Sequence, residues 1–446
     1  MKTETTLIAR SQVTRRSRAP LYLFFTANII SSIGDVLTFL AVPWFVLQTT
    51  GSITQTGITA FFSTAAIAFS AFFGSALVDR LGFKRASVVS DLMGAVSVAL
   101  IPLLYFLGAL AFWELLALVF LAGLFTTPGA TARAALVPEL AELAQMPLER
   151  VSAATDGITR VSRFIGAPLA GLLIVIIGAS NLLWIDALSF AVSALLIALS
   201  IPRTLHSKSA AGADATAIAA AALSGDTATE LRGMRRYLAG LAVGLRFIWR
   251  DRLILSIVAT VLVTNLLDAG FSAVLAPAYI RQTFGNAVVL GGIVAAFGGA
   301  AFLGTLVFGA IGHRLPRQLT LGIGFTLAGL PRFLALVFVP SVPLLLAIFA
   351  FAGFCIGPVN PLLDTVQYER VPMQMRARVF GAVTAGAMIG TPLGGLLSGV
   401  LVGLIGIRTA ILLFGAVYFL ATASLLINPA MRSMEKNPTI SQLMEE

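Results

Sequence analysis

The sequence predicts an all-α membrane protein of 12 transmembrane helices, arranged as two pseudo-symmetric six-helix halves. Three observations predict it. Of the 446 residues, 58% are hydrophobic and only 11% are charged, whereas a soluble globular domain carries about 25% charge. Apolar runs of about 20 residues, the length that crosses a hydrocarbon core as a helix, recur between polar or turn-rich breaks along the whole chain. The stretch "IGAPLAGLL" at 165–173 returns as "IGTPLGGLL" at 389–397, differing only at Ala167/Thr391 and Ala170/Gly394. An internal repeat of that kind marks duplicated units.

Taken in order, the expected spans are 21–47, 55–78, 87–108, 111–135, 155–178 and 181–202 in the first half. Those of the second half are 253–280, 287–312, 319–339, 343–364, 378–405 and 408–428. The basic leader (Lys2, Arg10, Arg15, Arg16, Arg18) has no short apolar core ending in a cleavage site, so the first span is expected to remain as an anchor. An even number of spans places both termini on one side, and the Lys/Arg distribution marks that side as cytoplasmic. Basic residues fall in the tails, the 2–3 loop (Arg80, Lys84, Arg85), the 4–5 segment, the central loop, the 8–9 loop (Arg314, Arg317) and the 10–11 loop (Arg370, Arg376, Arg378), with Arg281, Arg332 and Arg408 the exceptions. The net charge of +10 is therefore read as a topology signal and as contact with anionic lipid, not as a nucleic-acid footprint.

The chain divides into an N-terminal half (1–202), a cytoplasmic linker (203–252) and a C-terminal half with a short cytoplasmic tail (253–446). The linker begins with an Ala/Ser/Thr/Gly/Asp tract that has no core-forming pattern. Leu231, Met234, Leu238, Leu241, Leu245 and Ile248 then recur at helical spacing beside Arg232, Arg235, Arg236, Arg246 and Arg250. That pattern fits a helix lying on the membrane surface, and equally one packed on the cytoplasmic loops.

One cysteine (Cys355) and two histidines (His206, His313) cannot build a disulfide framework or a zinc site within one chain. No phosphate-binding G-x4-G-K-[ST] loop occurs, which removes direct ATP drive. No catalytic residue, metal site or bound cofactor is expected. A membrane-embedded enzyme or receptor would need clustered His, Cys or acids, or a large extramembrane domain.

What the apolar spans do contain is acid. A carboxylate at the centre of a membrane helix costs about 2.5–3.5 kcal/mol on insertion scales and so marks function. In span 1, Asn28, Ser31, Ser32 and Asp35 stand at i, i+3, i+4 and i+7, one face of a helix. In span 7, Asn265, Asp268 and Ser272 stand at i, i+3 and i+7. Two readings remain open for these stripes. They line a central cavity, where a carboxylate binds a proton or a cationic substrate, or they are interhelical hydrogen-bond glue. Asp35, being ionisable, favours the first.

Further polar residues have their own expectations. Asp186, near the outer end of span 6, is given a structural role. Arg332, well inside span 9, could pair with an acid or snorkel outward, and snorkelling is the preferred expectation. Arg160 and Arg163, at the start of span 5, are read first as interface anchors, with the lining of an inward-facing vestibule as the alternative. Phe24, Phe25, Phe39 and Trp44 are available for an apolar cavity wall.

The segment "GSALVDRLGFKR" carries Gly74, Asp79, Arg80, Gly82, Lys84 and Arg85 in the order G-x4-D-R-x-G-x-[KR]. With twelve spans in two repeated halves, it resembles the loop between spans 2 and 3 of the major facilitator superfamily. The resemblance implies the major facilitator fold and a conformational latch, with the acid docking near the start of span 11. The equivalent 8–9 loop is degenerate, with His313 in place of the acid and Pro316 in place of a glycine. The paired motifs Gly166, Pro168, Gly171 and Gly390, Pro392, Gly394, Gly395 resemble the glycine/proline motif of span 5 in proton-coupled exporters. The basic motif that many of these carry inside span 4 is read as missing, because Arg133 falls at the expected cytoplasmic end of that span.

"SSIGD", "SDLMGA", "WIDALSFAVSALL" and "RARVFG" are similar to segments of the drug:proton antiporter branch that contains macrolide-efflux pumps and the enterobactin exporter. That resemblance implies a monomeric exporter in the bacterial inner (plasma) membrane. It would move an amphipathic small molecule by alternating access, with protons as the counter-substrate, lipids as its surroundings and the proton gradient as its energy source. Import or lipid translocation on the same scaffold is the alternative reading.

Overall fold

The structure, a computed structural model, describes residues 18–200 and 242–435, without the side chains of 71–77, 79, 80, 374, 377 and 435. Six helices build the first half: α1 (Ala19–Thr50), α2 (Ile53–Leu81), α3 (Phe83–Phe106), α4 (Phe112–Ala144), α5 (Leu148–Ile177) and α6 (Ala179–Ser200). Six more build the second: α7 (Arg252–Thr283), α8 (Ala287–Ile311), α9 (Arg317–Phe338), α10 (Val342–Arg370), α11 (Arg376–Met388 and Thr391–Ile405) and α12 (Ile407–Ile427). Eleven are long and apolar enough to cross a membrane, and α2, at 29 residues, completes the series.

Polar side chains at the breaks set where helices begin. The Ser52 hydroxyl accepts from the Gln55 amide at 3.2 Å, and the Asp251 carboxylate accepts from the amides of Leu253 (2.9 Å) and Ile254 (3.2 Å). Each such cap contributes about 1 kcal/mol. Two of the first-half helices exceed the expected spans by about two turns. α4 continues for roughly three turns past Arg133, and α5 begins roughly three turns before Arg160. The added turns, "ALVPELAELA" and "LERVSAATDG", are too polar to register as apolar runs yet remain helical.

The two halves meet most tightly at the end of the bundle where α1 finishes, here the distal end. Two seams of small residues join them there. On the first, Gly57 of α2 lies against Gly395 and Gly399 of α11, where an added Cβ would stand 2.6 Å from the Gly395 carbonyl oxygen. The Thr54 hydroxyl donates to the Gly399 carbonyl across the same seam at 3.2 Å. On the second, Gly171 of α5 lies on Ala287 and Val288 of α8, and an added Cβ would stand 2.6 Å from the Ala287 carbonyl oxygen. Gly171 and Gly395 are the same position of the repeated motif, so each copy makes the equivalent inter-half contact. Small residues let helix backbones approach closely, the main source of packing energy between helices in lipid. Arg281, at the end of α7, donates to the Leu47 carbonyl at the end of α1 and closes the same end.

At the opposite, proximal end each half has a core of its own. Leu21, Phe24, Leu136, Leu140, Val151 and Ile197 pack together in the first half. Ile248, Ile254, Val258, Val371, Val379 and Ala382 do so in the second.

The linker tract and residues 231–241 of the amphipathic segment lie outside the described residues. Residues 242–250 are helical, with Gly244 seated on the Arg378 carbonyl and Ala382 of α11, Ile248 buried, and Trp249 exposed.

Candidate functional site

A cavity of about 1570 Å³ lies between the halves. All six helices of the first half line it. The second half supplies chiefly α8, from Val294 to Thr305, and α10, from Ala350 to Asp364, with Ala273 of α7 added. Arg160 on α5 and Asp364 on α10, both toward the proximal end, are exposed lining residues. The cavity therefore opens proximally and is closed distally by the glycine seams. Its wall is mostly apolar, with Phe39, Phe125, Phe164, Phe190, Phe297 and Phe302 contributing rings.

From the α1 stripe, Ser32 and Asp35 face the cavity. Asn28 and Ser31 are buried outside its lining, and the Ser31 hydroxyl has no hydrogen-bond partner among the described residues. Ser32, Asp35, Val36, Phe39 and Pro43 form the α1 wall at i, i+3, i+4, i+7 and i+11, as a continuous helical face requires. Asp35 is exposed to this space and makes no hydrogen bond or ion pair among the described residues. Arg133 and Arg163 are the cations acting on it, and Asp91 and Asp186 the anions.

The α7 stripe is placed differently, and none of its three residues lines the cavity. The Asn265 amide donates to the Ala387 carbonyl of α11 at 2.9 Å. Ser272 donates to the Asp268 carbonyl of its own helix at 2.7 Å. Asp268 is ion-paired with Arg332 of α9. A π-helical turn at Phe271–Leu275 interrupts α7 just beyond Asp268 and breaks the face that its spacing would otherwise keep.

Arg332 does not snorkel. It is 6% exposed, and its guanidinium lies 5.2–5.4 Å from the ring centres of Phe271, Phe297, Phe333 and Tyr418. The Asp268 carboxylate supplies its counter-charge and the rings supply cation–π contact, so no path to the interface is needed.

Three polar groups carry more of the site than their sequence positions suggest. Arg133, well inside the elongated α4, lines the cavity and pairs with Asp91 of α3 at 2.7 Å, while the Ser193 hydroxyl of α6 donates to the other Asp91 oxygen at 2.7 Å. The expectation that span 4 lacks an internal arginine is thereby corrected, because the helix runs past the apolar segment that defined the span. Arg163 lines the cavity about half-way along α5. Asp186 is 0% exposed, yet forms part of the cavity wall beside α1. It accepts from the Thr38 and Ser189 hydroxyls. Among the expected aromatics Phe39 alone lines the cavity; Phe24 and Trp44 are buried in core clusters, against one of which Phe25 packs.

In the 2–3 loop, Gly82 ends α2 and precedes α3 with φ +77° and ψ 154°, a conformation open essentially to glycine. Gly74, Asp79 and Arg80 are helical, and their side chains lie outside the described set. Arg85 is exposed. Arg376 donates to the Tyr368 (3.0 Å) and Val371 (3.3 Å) carbonyls, bracing the turn from α10 into α11. In the repeated motif, Gly166 abuts Val36 of α1, as Gly390 abuts Leu262 and Leu266 of α7 and Gly394 the Leu266 carbonyl. Pro168 sits inside an unbroken α5, whereas Pro392 restarts α11 after a break.

Two six-helix halves, closed at one end by small residues and parted at the other around a charged cavity, define a membrane transporter of the alternating-access kind. The sequence profile of the Major Facilitator Superfamily matches residues 24–269 and again 258–443, and the chain belongs to that superfamily. It is 29% identical over 426 residues to the "Multidrug efflux pump Tap" of Mycobacterium tuberculosis, covering 95% of this chain and 96% of that protein. Its identity to the protein of the same name from Mycolicibacterium fortuitum is 28% over 433 residues, covering 95% and 99%. Among solved structures, the nucleoside transporter NupG matches with a TM-score of 0.69 at 14% identity, covering 92% of this chain and 98% of that one. A bacterial homologue of the human lysosomal transporter Spinster, solved inward-facing and unoccupied, matches at 0.68 with 13% identity, covering 94% and 98%.

Proposed function

We propose that this protein is a multidrug exporter that moves an amphipathic small molecule out of the bacterial cytoplasm across the inner membrane in exchange for protons. The observation that carries the reading is Asp35, a carboxylate within an apolar span that faces an open cavity and has no counter-ion in contact among the described residues. Efflux pumps of the Tap name, similar over almost the whole chain, support the direction and the substrate class. With both termini cytoplasmic, the proximal opening faces the cytoplasm, and the conformation described here is the one that loads substrate.

The cycle follows from the two ends of the bundle. Substrate enters from the open side against the aromatic wall and displaces a proton from Asp35. Rocking of one half against the other then parts the glycine seams and closes the proximal side, after which a proton from outside replaces the substrate. The proton gradient is the energy source, no bound cofactor takes part, and one chain surrounded by lipid is the working unit.

Purified protein in liposomes with an imposed pH gradient tests this. Asp35→Asn is expected to remain folded and inserted while gradient-driven efflux falls by about tenfold or more. Undiminished flux in that variant would remove Asp35 from the coupling step.

A further inference from the structure

We propose that Asp186 is the second half of the coupling site. Asp35 and Asp186 act as one two-carboxyl unit that holds a shared proton when the cavity is empty and releases it when a substrate bearing a cationic group binds in its place. The proposal rests on the proton-driven export reading above and gives it a substrate class.

The geometry of α1 against α6 carries the inference. Gly34 lets the two helices approach so closely that a Cβ there would collide with the Asp186 carboxyl and the Ser189 hydroxyl. One Asp186 oxygen thus lies over Gly34, the chain neighbour of Asp35. The other accepts from Thr38, which stands one turn along α1 from Asp35. Residues at i and i+3 on a helix have Cβ atoms about 5–6 Å apart, so both carboxyls sit within one turn of the same helix, on the wall of one cavity. Insertion of an acid at this depth is costly for one helix and more so for two adjacent ones.

The surrounding charges do not satisfy the pair. On α4, Arg133 is committed to Asp91 of α3 at 2.7 Å. On α5, Arg163 acts on Asp35 through the field and forms no ion pair with it among the described residues. Across the cavity, Asp364 of α10 adds a further acid near the opening. Two neighbouring carboxyls in a poorly polarisable setting do not both ionise readily, and they titrate as a unit. A cation brought between them allows both to ionise. The proton then leaves through the cavity to the side on which it is open, and no other group need change its charge.

The test uses the full chain, in detergent and in liposomes, with ethidium as the cationic probe. Wild type is expected to release about one proton per ethidium bound, read with a pH-indicator dye in weak buffer. Asp186→Asn and Asp35→Asn are each expected to lower that release and to reduce gradient-driven ethidium efflux by about tenfold, with the double variant no worse than either single one. Asp186→Glu is expected to restore release with a displaced pH midpoint. An Asp186→Asn protein that releases the wild-type proton count with the wild-type pH profile would overturn the proposal. Should Asp186→Asn fail to elute as a single species, Thr38→Val keeps both carboxyls and removes only a donor. An unmoved midpoint of release in that variant overturns the proposal, and a displaced one supports it. Wild type that binds ethidium and releases a proton but shows no gradient-driven efflux would sink the exporter reading while leaving the paired site standing. Wild type that binds no ethidium would overturn the cationic substrate class.

Discussion

The same stripe of an amide, an acid and hydroxyls stands on α1 and on α7, and the two halves use it in opposite ways. On α1 the acid has no ion-pair partner among the described residues, faces an open space and has a second carboxyl within a turn. On α7 the acid is neutralised by Arg332, which is walled in by four aromatic rings, while the flanking Asn265 and Ser272 tie down backbone carbonyls. The C-terminal half meets the cavity instead with α8 and α10, mostly glycine, alanine and aromatic surface. Duplication preserved the scaffold, including the Gly171 and Gly395 contacts, and left the acid of the stripe facing the cavity in one half and away from it in the other. A rocking transporter needs its two halves to fit each other alike at a seam, but needs only one of them to carry a titrating group.

The largest effect that would break this comparison is on stability. If Arg332–Asp268 is a structural pair, Arg332→Ala strands an acid in apolar surroundings and should cost about 3 kcal/mol, near the lower end for breaking a buried pair because the Asp268 side chain is 38% exposed. A thermal melt of the detergent-solubilised protein reads the loss. The double replacement Asp268→Leu with Arg332→Leu should recover most of it, since an apolar pair of similar volume avoids the desolvation cost. Failure of the double variant to recover, together with loss of transport beyond the loss of folded protein, would give the C-terminal acid a working role and erase the contrast with Asp35.

Next in size are the seams, where the halves should behave alike. A methyl group at Gly171 or at Gly395 has no room in the distally closed state, because each faces backbone or a small side chain across the seam. Overpacking of that kind costs about 1–3 kcal/mol. Opening the seam relieves it, so either alanine variant should shift the population toward the distally open state by about fivefold or more. Distances between paired spin labels placed on the distal ends of α2 and α11 would report it. A shift in one variant and not the other would show that the repeat is imitated in sequence but not in mechanics.

How much of this was legible in the sequence follows from what each signal depends on. The helices and the two halves were legible because apolar runs and the repeated Gly-Pro motif are local patterns. The extent of α4 and α5 was not, since a helix continuing past the apolar stretch in polar turns leaves no hydropathy mark, and this hid the depth of Arg133. Asp35 was legible because an acid inside an apolar run stands out on its own. Asp186 stood out equally, but its distance from the end of its own helix said nothing of Gly34, which brings α1 onto it. Arg332 and Asp268 are 64 residues apart, as Asp91 and Arg133 are 42 apart. Such pairings are set by which helices neighbour one another, and a single sequence does not state that.

The smallest effect expected is at the distal rim, and it sharpens the comparison because it joins the ends of the two helices that differ most elsewhere. Arg281 at the end of α7 donates to the Leu47 carbonyl of α1. That carbonyl already accepts from the Gly51 amide at 3.1 Å and belongs to the last turn of its helix, where the negative end of the helix dipole favours a cation. The contact exists only while the distal ends are together, so it stabilises the distally closed state and nothing else. Arg281→Gln keeps a donor and removes the charge. It should lower the closed population by about the 0.3–1 kcal/mol that a charge at a helix end contributes, a two- to fivefold change in the labelled-distance distribution with the melting temperature nearly unmoved. Because the site is at a rim, that change should shrink as salt is raised. An equal loss of thermal stability, or no dependence on salt, would mean that Arg281 is a packing element of α7 and not a clasp between the halves.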